Sequence, residues 1–291
     1  MVILNRSLID VHADFISISS VSLREDKLEI SEWKDGWQLW DLVAHLTKIR
    51  AVSSNNLFRG QTDADWALLP GLYRRDVHIF NDAKSKEELY LIAEQRMIEA
   101  FFDRAAMLLP NFPRSPLMDR IIAQHYGVPT QLLDWTIDPF IALYFAVHGG
   151  NPDKDCALFY LNPLTGLNKG MRHINLPWRQ KITLVPPPII DERIRSQKSA
   201  FTIQNFGEKE FFTPLDERKL KFSGCEHSTH ADDEVMTIGK IIIPSERRQQ
   251  ILFQLIELGV DSSLVYPGLQ GIGQRIADIA NIQKYGGGQG Y

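Results

Sequence analysis

Cysteine is scarce in this chain of 291 residues, which contains only Cys156 and Cys225. Two cysteines do not make a framework of several disulfides, so the pattern of small secreted proteins is excluded. No apolar run approaches the roughly 20 residues that a membrane helix needs. The first residues also lack the basic start and apolar core of a secretory signal. These absences predict a cytoplasmic protein without a membrane partner.

An excess of positive charge is also absent, because 36 acidic residues outnumber 32 lysines and arginines. The net charge of −4 argues against broad, nonspecific attraction to nucleic acid and leaves only a local basic patch open. The chain has no internal repeat, and its 44% hydrophobic and 23% charged content is that of an ordinary globular protein. The order of the patterns predicts one α+β domain with a mixed or antiparallel β core and several helices.

Local signals place the helices and strands along the chain. Helical spacing of apolar residues predicts a helix at about 36–49, and Ser85, Asp138 and Ser245 are predicted to cap later helices. Gly127 is predicted to end a helix in the left-handed conformation. Strands are predicted in NNLFRGQ, CALFYLNP, AFTIQNF and VMTIGKIII.

The first motif is Phe58-Arg59-Gly60, inside the segment LFRGQTDADW. Arginine suits phosphate because its planar fork donates two hydrogen bonds and keeps its charge at any working pH. A following glycine allows close approach of the backbone. The alternative is a structural ion pair of Arg59 with an acidic side chain: Asp63, Asp65 or Asp134.

The second motif is AQHYGVPTQLLDWTIDPFIALYFA, residues 123–146. His125 titrates near neutral pH and is a candidate acid or base, although a histidine near a helix C-terminus is also a favourable structural choice. Asp134 is placed at a polar corner, where it would orient Arg59. Trp135 would stack on a flat ring or belong to the core, and Thr136 would contact a ligand or close a turn.

Three segments together resemble the FRG domain family: the Phe-Arg-Gly motif, the block at 123–146 and RIRSQKSAFT at 193–202. A weaker match follows at 258–276. Gln131 departs from the family pattern, since an arginine is expected there. The resemblance divides the chain into an N-terminal strand and helix extension packed on the core (1–56), an FRG domain (57–276) and a glycine-rich tail (277–291).

The order of these segments also resembles the ADP-ribosyltransferases, in which an early arginine binds NAD and a later glutamate drives catalysis. This resemblance implies a catalytic set of Arg59, His125, Asp134 and Gln197, with Gln197 at the position of the glutamate. It also implies that NAD contacts Arg59 and a further group of side chains: Phe58, Gly60, Gln61, Tyr126, Trp135 and Thr136. A neutral amide cannot supply the charge of a glutamate, so Gln197 leaves activity open.

The implied function is NAD or nucleotide binding, with transfer of ADP-ribose to a macromolecular acceptor or cleavage of NAD, as in a bacterial toxin or defence effector. The alternative is a catalytically silent module that senses a nucleotide or nucleic acid. A nuclease ranks last, because an isolated Asp and His lack the acidic cluster that holds magnesium. The segment CEHSTH at 225–230 has no second ligand pair, so no metal is predicted.

Overall fold

The structure, a computed structural model, describes residues 29–34, 37–52, 56–75, 85–109, 114–162, 183–185, 192–203, 212, 214–217, 221–222, 234–235 and 237–285. The CEHSTH segment lies outside these residues. The strands are β1 (Glu29–Glu32), β2 (Leu57–Gln61), β3 (Leu132–Thr136), β4 (Cys156–Asn162), β5 (Thr183–Val185), β6 (Ser199–Ile203), β7 (Lys221–Phe222), β8 (Glu234–Val235) and β9 (Thr237–Ile243). The helices are α1 (Leu39–Val52), α2 (Lys86–Ala105), α3 (Pro116–His125), α4 (Pro139–Val147), α5 (Glu192–Ser196), α6 (Arg248–Glu257), α7 (Ser262–Val265) and α8 (Leu269–Tyr285).

Seven strands form one sheet in the order β1-β9-β4-β2-β3-β6-β5. Strands β1 and β9 run parallel, and every other neighbouring pair in this sheet is antiparallel. Strands β7 and β8 form a separate two-stranded ribbon. The predicted α+β class with a mixed or antiparallel core is therefore confirmed.

The sheet is nearly divided between β2 and β3. These strands share a single paired position, Phe58 with Thr136. By contrast, β2 pairs with β4 at five positions, and β3 pairs with β6 at five positions. The two halves of the sheet therefore separate beyond Phe58, which leaves room for a cavity between their edges.

Helix α4 covers one face of the sheet beside β2. Its sequence PFIALYFAV is almost entirely apolar, and its side chains pack into the core cluster that includes Phe58 and Tyr160. Alternate residues of β2 point to opposite faces, so Leu57 belongs to a second cluster with Leu133 and Phe159. The sheet is thus buried on both faces around β2, and alternation places Arg59 on the face of Leu57, opposite to Phe58.

Three of the four residues that were predicted to begin or end a helix have that role in the structure. Ser85 Oγ accepts a hydrogen bond from the Glu88 amide at 3.2 Å, and Asp138 Oδ1 accepts one from the Phe140 amide at 2.9 Å. Gly127 has φ of 91°, as predicted for a helix end. The predicted cap at Ser245 is wrong: this residue begins a short 3-10 turn, and α6 begins only at Arg248.

Helix α8 crosses the predicted boundary at residue 276, and its later part is packed on the fold. Asp278 is buried and accepts hydrogen bonds from Ser262 Oγ at 2.5 Å and Gln274 Nε2 at 2.8 Å. His148 Nε2, at the end of α4, lies 3.0 Å from Asp278 Oδ1. The helix to residue 285 is therefore joined to α4 and α7. No helix within the described residues is long and apolar enough to span a membrane.

Gln131, where the resemblance leads one to expect an arginine, occupies a buried polar site. Its amide N and Nε2 donate to the two oxygens of Glu94 at 2.8 and 2.9 Å. Glu94 is fully buried, and its second oxygen also accepts from Arg120 Nε at 2.9 Å. The cation beside this carboxylate thus comes from α3 instead of position 131.

Substituting Arg120 with methionine is expected to lower the free energy of unfolding by about 3–5 kcal/mol, because it leaves the buried Glu94 charge without its cation. The matched control is Arg114→Met, which removes the ion pair of the half-exposed Arg114 with Asp119 of α3 and its contact with the Phe102 ring at 3.7 Å, and which is expected to cost about 1 kcal/mol. Equilibrium unfolding in urea measures both losses. Equal losses in the two variants would contradict a structural role for the Glu94 ion pair.

Candidate functional site

A cavity of about 360 Å³ lies where β2 and β3 separate, within the size range of small-molecule sites. This first cavity is lined by segments that are distant in sequence. Strand β2 supplies one wall, the end of α3 and strand β3 supply another, and α5 with β6 closes the third side. The three segments that carried the family resemblance therefore meet at one place.

Most of the predicted site residues lie in the wall of the first cavity. They are Phe58, Arg59, Gly60, Gln61, His125, Asp134, Trp135, Thr136 and Gln197. Tyr126 lies outside this wall: it is 57% exposed, and its ring stacks on Phe101 at a centroid distance of 5.8 Å. The predicted convergence of Arg59, Thr136 and Gln197 on one pocket agrees with this geometry.

Arg59 lines the first cavity, and not all of its hydrogen-bond donors have partners within the described residues. Its Nη1 donates to the main-chain oxygen of Asp134 at 2.7 Å, and it lies 3.8 Å from Asp134 Oδ2. Its Nε is buried and has no hydrogen-bond partner within the described residues. Burial lowers the pKa of Arg59 to about 10, and Asp134 partly opposes that shift. The guanidinium therefore keeps its charge at neutral pH.

Asp134 only partly satisfies the alternative that Arg59 forms a structural ion pair. The charged atoms lie 3.8 Å apart, and the Asp134 side chain is 59% exposed while that of Arg59 is 15% exposed. Asp65 pairs with Lys154 at 3.0 Å, and Asp63 Oδ1 accepts from the Asp65 amide at 2.9 Å. Of the three carboxylates that the sequence offered, Asp134 is therefore the ion-pair partner of Arg59, at a distance longer than a hydrogen bond.

A short chain of hydrogen bonds orients the Asp134 carboxylate. Asp134 Oδ1 accepts from Gln124 Nε2 at 2.6 Å, and Gln124 Oε1 accepts from Thr130 Oγ1. The main chain of Asp134 belongs to β3, not to the polar corner where the sequence placed it, because β3 pairs with β6 throughout. Asp134 is the only carboxylate among the described residues that line the first cavity.

Trp135 and Thr136 have structural partners as well as places in the wall. The Trp135 side chain is 3% exposed, packs in a core cluster with Leu133, and donates from Nε1 to Thr202 Oγ1 at 3.0 Å. Thr136 Oγ1 accepts from the Asp138 amide at 3.0 Å and so closes the turn before α4. The aromatic ring that is open beside the cavity is Trp66, which is 50% exposed.

Gln197 follows α5 and precedes β6, so it lies beside a strand instead of in one. Its Nε2 donates to the main-chain oxygen of Val265 at 3.1 Å. One half of the amide therefore holds α7, which reduces what the side chain can offer to a ligand.

Arginines that the sequence did not single out add positive charge to the wall. Arg74 lines the cavity, and its Nε donates to the main-chain oxygen of Leu69 at 2.8 Å. Burial lowers the pKa of Arg74, and its charge also lowers the pKa of Arg59. Arg193 lies 4.9 Å from the ring of Tyr266, and its buried Nε has no partner within the described residues.

Gln61 is the least satisfied polar residue of the wall. It is buried, and neither its Oε1 nor its Nε2 has a hydrogen-bond partner within the described residues. A buried polar group without a partner costs about 1–3 kcal/mol. Together with Arg59 and Arg193, it gives one cavity three side chains with unused hydrogen-bonding capacity, which is a pattern expected of a ligand site.

Metal chemistry has no visible support in the part of the chain that the structure describes. No group of three or more His, Cys, Asp or Glu side chains is arranged there to hold an ion. The arrangement instead offers three cations, one oriented carboxylate, an amide and an open aromatic ring. These groups suit a ligand with anionic groups and a flat ring.

Comparison with known proteins identifies one region of the chain. The chain matches no curated protein and no solved structure, so the likeness to the ADP-ribosyltransferase fold stays a prediction. Residues 54–155, about a third of the chain, match the family model described as the FRG domain. This segment contains β2, α2, α3, β3 and α4, and with them Arg59, His125 and Asp134. The chain therefore contains an FRG domain at residues 54–155.

Proposed function

We propose that the first cavity binds NAD or a related nucleotide, with the phosphates between Arg59 and Arg74. The observation that carries this proposal is the pair of mutually repelling arginines in one wall, of which Arg59 is partly buried and Arg74 is exposed. Holding like charges together costs free energy, and an anion between them would offset that cost. The planar guanidinium groups also suit two hydrogen bonds to one phosphate.

The other walls suit the remaining parts of a nucleotide. Trp66 offers an exposed ring on which a base or nicotinamide can stack. Gln61 offers an unused donor and acceptor, which match the carboxamide of nicotinamide or the edge of adenine. These features favour a ligand with both rings and phosphates over a simple anion.

We further propose that the bound NAD is cleaved. In this reaction the C1′–N bond of the nicotinamide ribose breaks and its electron pair leaves with nicotinamide. Water or a nucleophile of a macromolecular acceptor then forms the new bond to C1′ and releases a proton. Asp134 is the carboxylate available to stabilise the positive ribose in the transition state.

The alternative is a catalytically silent module that senses a nucleotide or nucleic acid. It is favoured by one observation, the amide of Gln197 at the position of the expected glutamate, with its Nε2 bonded to Val265. A role as a bacterial toxin or defence effector is proposed on the family resemblance alone.

Arg59→Ala is expected to weaken NAD binding about 10- to 100-fold, since a hydrogen bond to a charged group contributes about 1.5–3 kcal/mol. Arg104→Ala is the control, because Arg104 lies on α2 outside the cavity wall and bonds only its own helix among the contacts seen. Calorimetric titration with NAD gives the affinities, and chromatography of the mixture detects released nicotinamide. If the native protein shows neither a heat of NAD binding nor release of nicotinamide, the proposal is wrong. Binding without release would favour the silent module.

A further inference from the structure

A second cavity, of about 490 Å³, adjoins the first and shares part of its wall. Four residues line both cavities: Arg59, Arg74, Gln124 and Asp134. The rest of the second wall comes from the 3-10 turn at Gly71–Arg74, from Arg75, and from the segment 127–133 that joins α3 to β3. The two cavities therefore lie side by side, and the charged and amide side chains of these four residues form their common wall.

The charge of the second cavity favours an anion. Three arginines line it, Arg59, Arg74 and Arg75, against the single carboxylate of Asp134. Burial lowers the pKa values of Arg59 and Arg74, and the two charges disfavour each other. A ligand with two negative charges would relieve this repulsion better than a neutral one.

Apart from Arg75 and Thr130, the residues that line only the second cavity are glycines and apolar residues. They include Gly71, Val128 and Pro129. At Gly127, an added Cβ would meet nothing within 4 Å, so the surface beside that residue is open. Arginine side chains beside glycines and apolar residues suit a phosphate that is attached to a sugar or ring.

Each cavity also has an arginine of its own. Arg75 lines only the second cavity, and Arg193 lines only the first. Arg75 is therefore the cation that a ligand of the second cavity would not share with the first.

We propose that the second cavity is a separate binding site for a phosphate monoester, with Arg75 as the cation that it does not share with the first cavity. This inference goes beyond the proposed function, because it requires neither NAD nor its cleavage. The shared chemistry is a terminal phosphate, which a free mononucleotide or the 5′ end of a nucleic acid strand can supply.

The test is calorimetric titration with AMP, first alone and then with saturating NAD. Arg75→Gln is expected to weaken AMP binding at least about tenfold and to leave NAD binding within about twofold. The main-chain oxygen of Arg75 that accepts from the Tyr90 hydroxyl at 2.9 Å is retained in this variant, and the side chain is exposed, so the fold is preserved. The matched control, Arg193→Gln, should leave AMP binding within about twofold.

The outcomes separate this site from the proposed function. AMP binding that depends on Arg75 and persists with NAD bound supports the second site, as does such binding when NAD does not bind at all. Absence of AMP binding, AMP binding that is unchanged in Arg75→Gln, or equal sensitivity to Arg193→Gln would overturn it. A 5′-phosphorylated oligonucleotide that binds more tightly than its 5′-hydroxyl form would assign the site to strand ends, whereas binding of AMP alone would assign it to free nucleotides.

Discussion

Gly60→Ala is expected to lower the free energy of unfolding of the FRG-domain chain by more than about 4 kcal/mol, a loss seen only for severe packing faults. A Cβ at this position would lie 2.0 Å from the Ala142 oxygen and 2.4 Å from the Ala146 nitrogen. Both atoms belong to the main chain of α4, so no side-chain rotation relieves the overlap. Either α4 or β2 has to move, which would disrupt the core cluster that joins them.

Gly127→Ala is the matched control for this prediction. Its φ of 91° disfavours alanine, but an added Cβ meets no atom within 4 Å, so the expected cost is only about 1 kcal/mol. Denaturant unfolding followed by circular dichroism compares the two variants. Similar losses for both would show that α4 does not pack on Gly60 as closely as described.

The structure thus gives a reason for the glycine in the Phe-Arg-Gly motif that the sequence did not reveal. Close backbone approach was predicted, but the approaching backbone is that of α4. Phe58 faces the same core, while Arg59 points to the other side of the strand, as the alternation of β2 requires. The motif therefore combines two packing residues with one residue that is available to a ligand.

Features that depend on neighbouring residues could be predicted from the sequence. The caps at Ser85 and Asp138 were predicted because the partner amides lie two or three residues away. The cap at Ser245 failed because its amide donates to Asp155, 90 residues earlier, and a 3-10 turn precedes the helix. Asp134 lies in a strand because β3 pairs with β6, about 65 residues later in the chain.

The separation of β2 from β3 could not be predicted, because it depends on how two halves of a sheet are held by other elements. Arg74 and Arg193 were missed for the same reason. Arg74 ends a short 3-10 turn and Arg193 lies in a five-residue helix, and neither element has a periodicity that reveals its neighbours. The resemblances grouped Arg59, Asp134 and Gln197 as candidates, and the structure places all three in the wall of the first cavity.

Asp134→Asn is expected to reduce the rate of nicotinamide release from NAD by about 10²–10³-fold, the cost of removing one electrostatic group from a transition state. Asparagine keeps the shape, and its Oδ1 can still accept from Gln124 Nε2. The change therefore removes the charge and preserves the position. The affinity for NAD is expected to stay constant or to tighten, because the carboxylate no longer competes with phosphate for Arg59 and Arg74.

Gln197→Ala is the comparison that decides which side chain carries the charge-dependent step. The Gln197 Nε2 group donates to the main-chain oxygen of Val265. Loss of this side chain should therefore lower the rate of nicotinamide release less than about tenfold, through a change in the position of α7. Single-turnover release and equilibrium binding of NAD, measured on both variants, separate the rate from the affinity. A large loss of rate in Gln197→Ala together with a normal rate in Asp134→Asn would overturn the assignment of Asp134, because an uncharged amide would then be sufficient for cleavage.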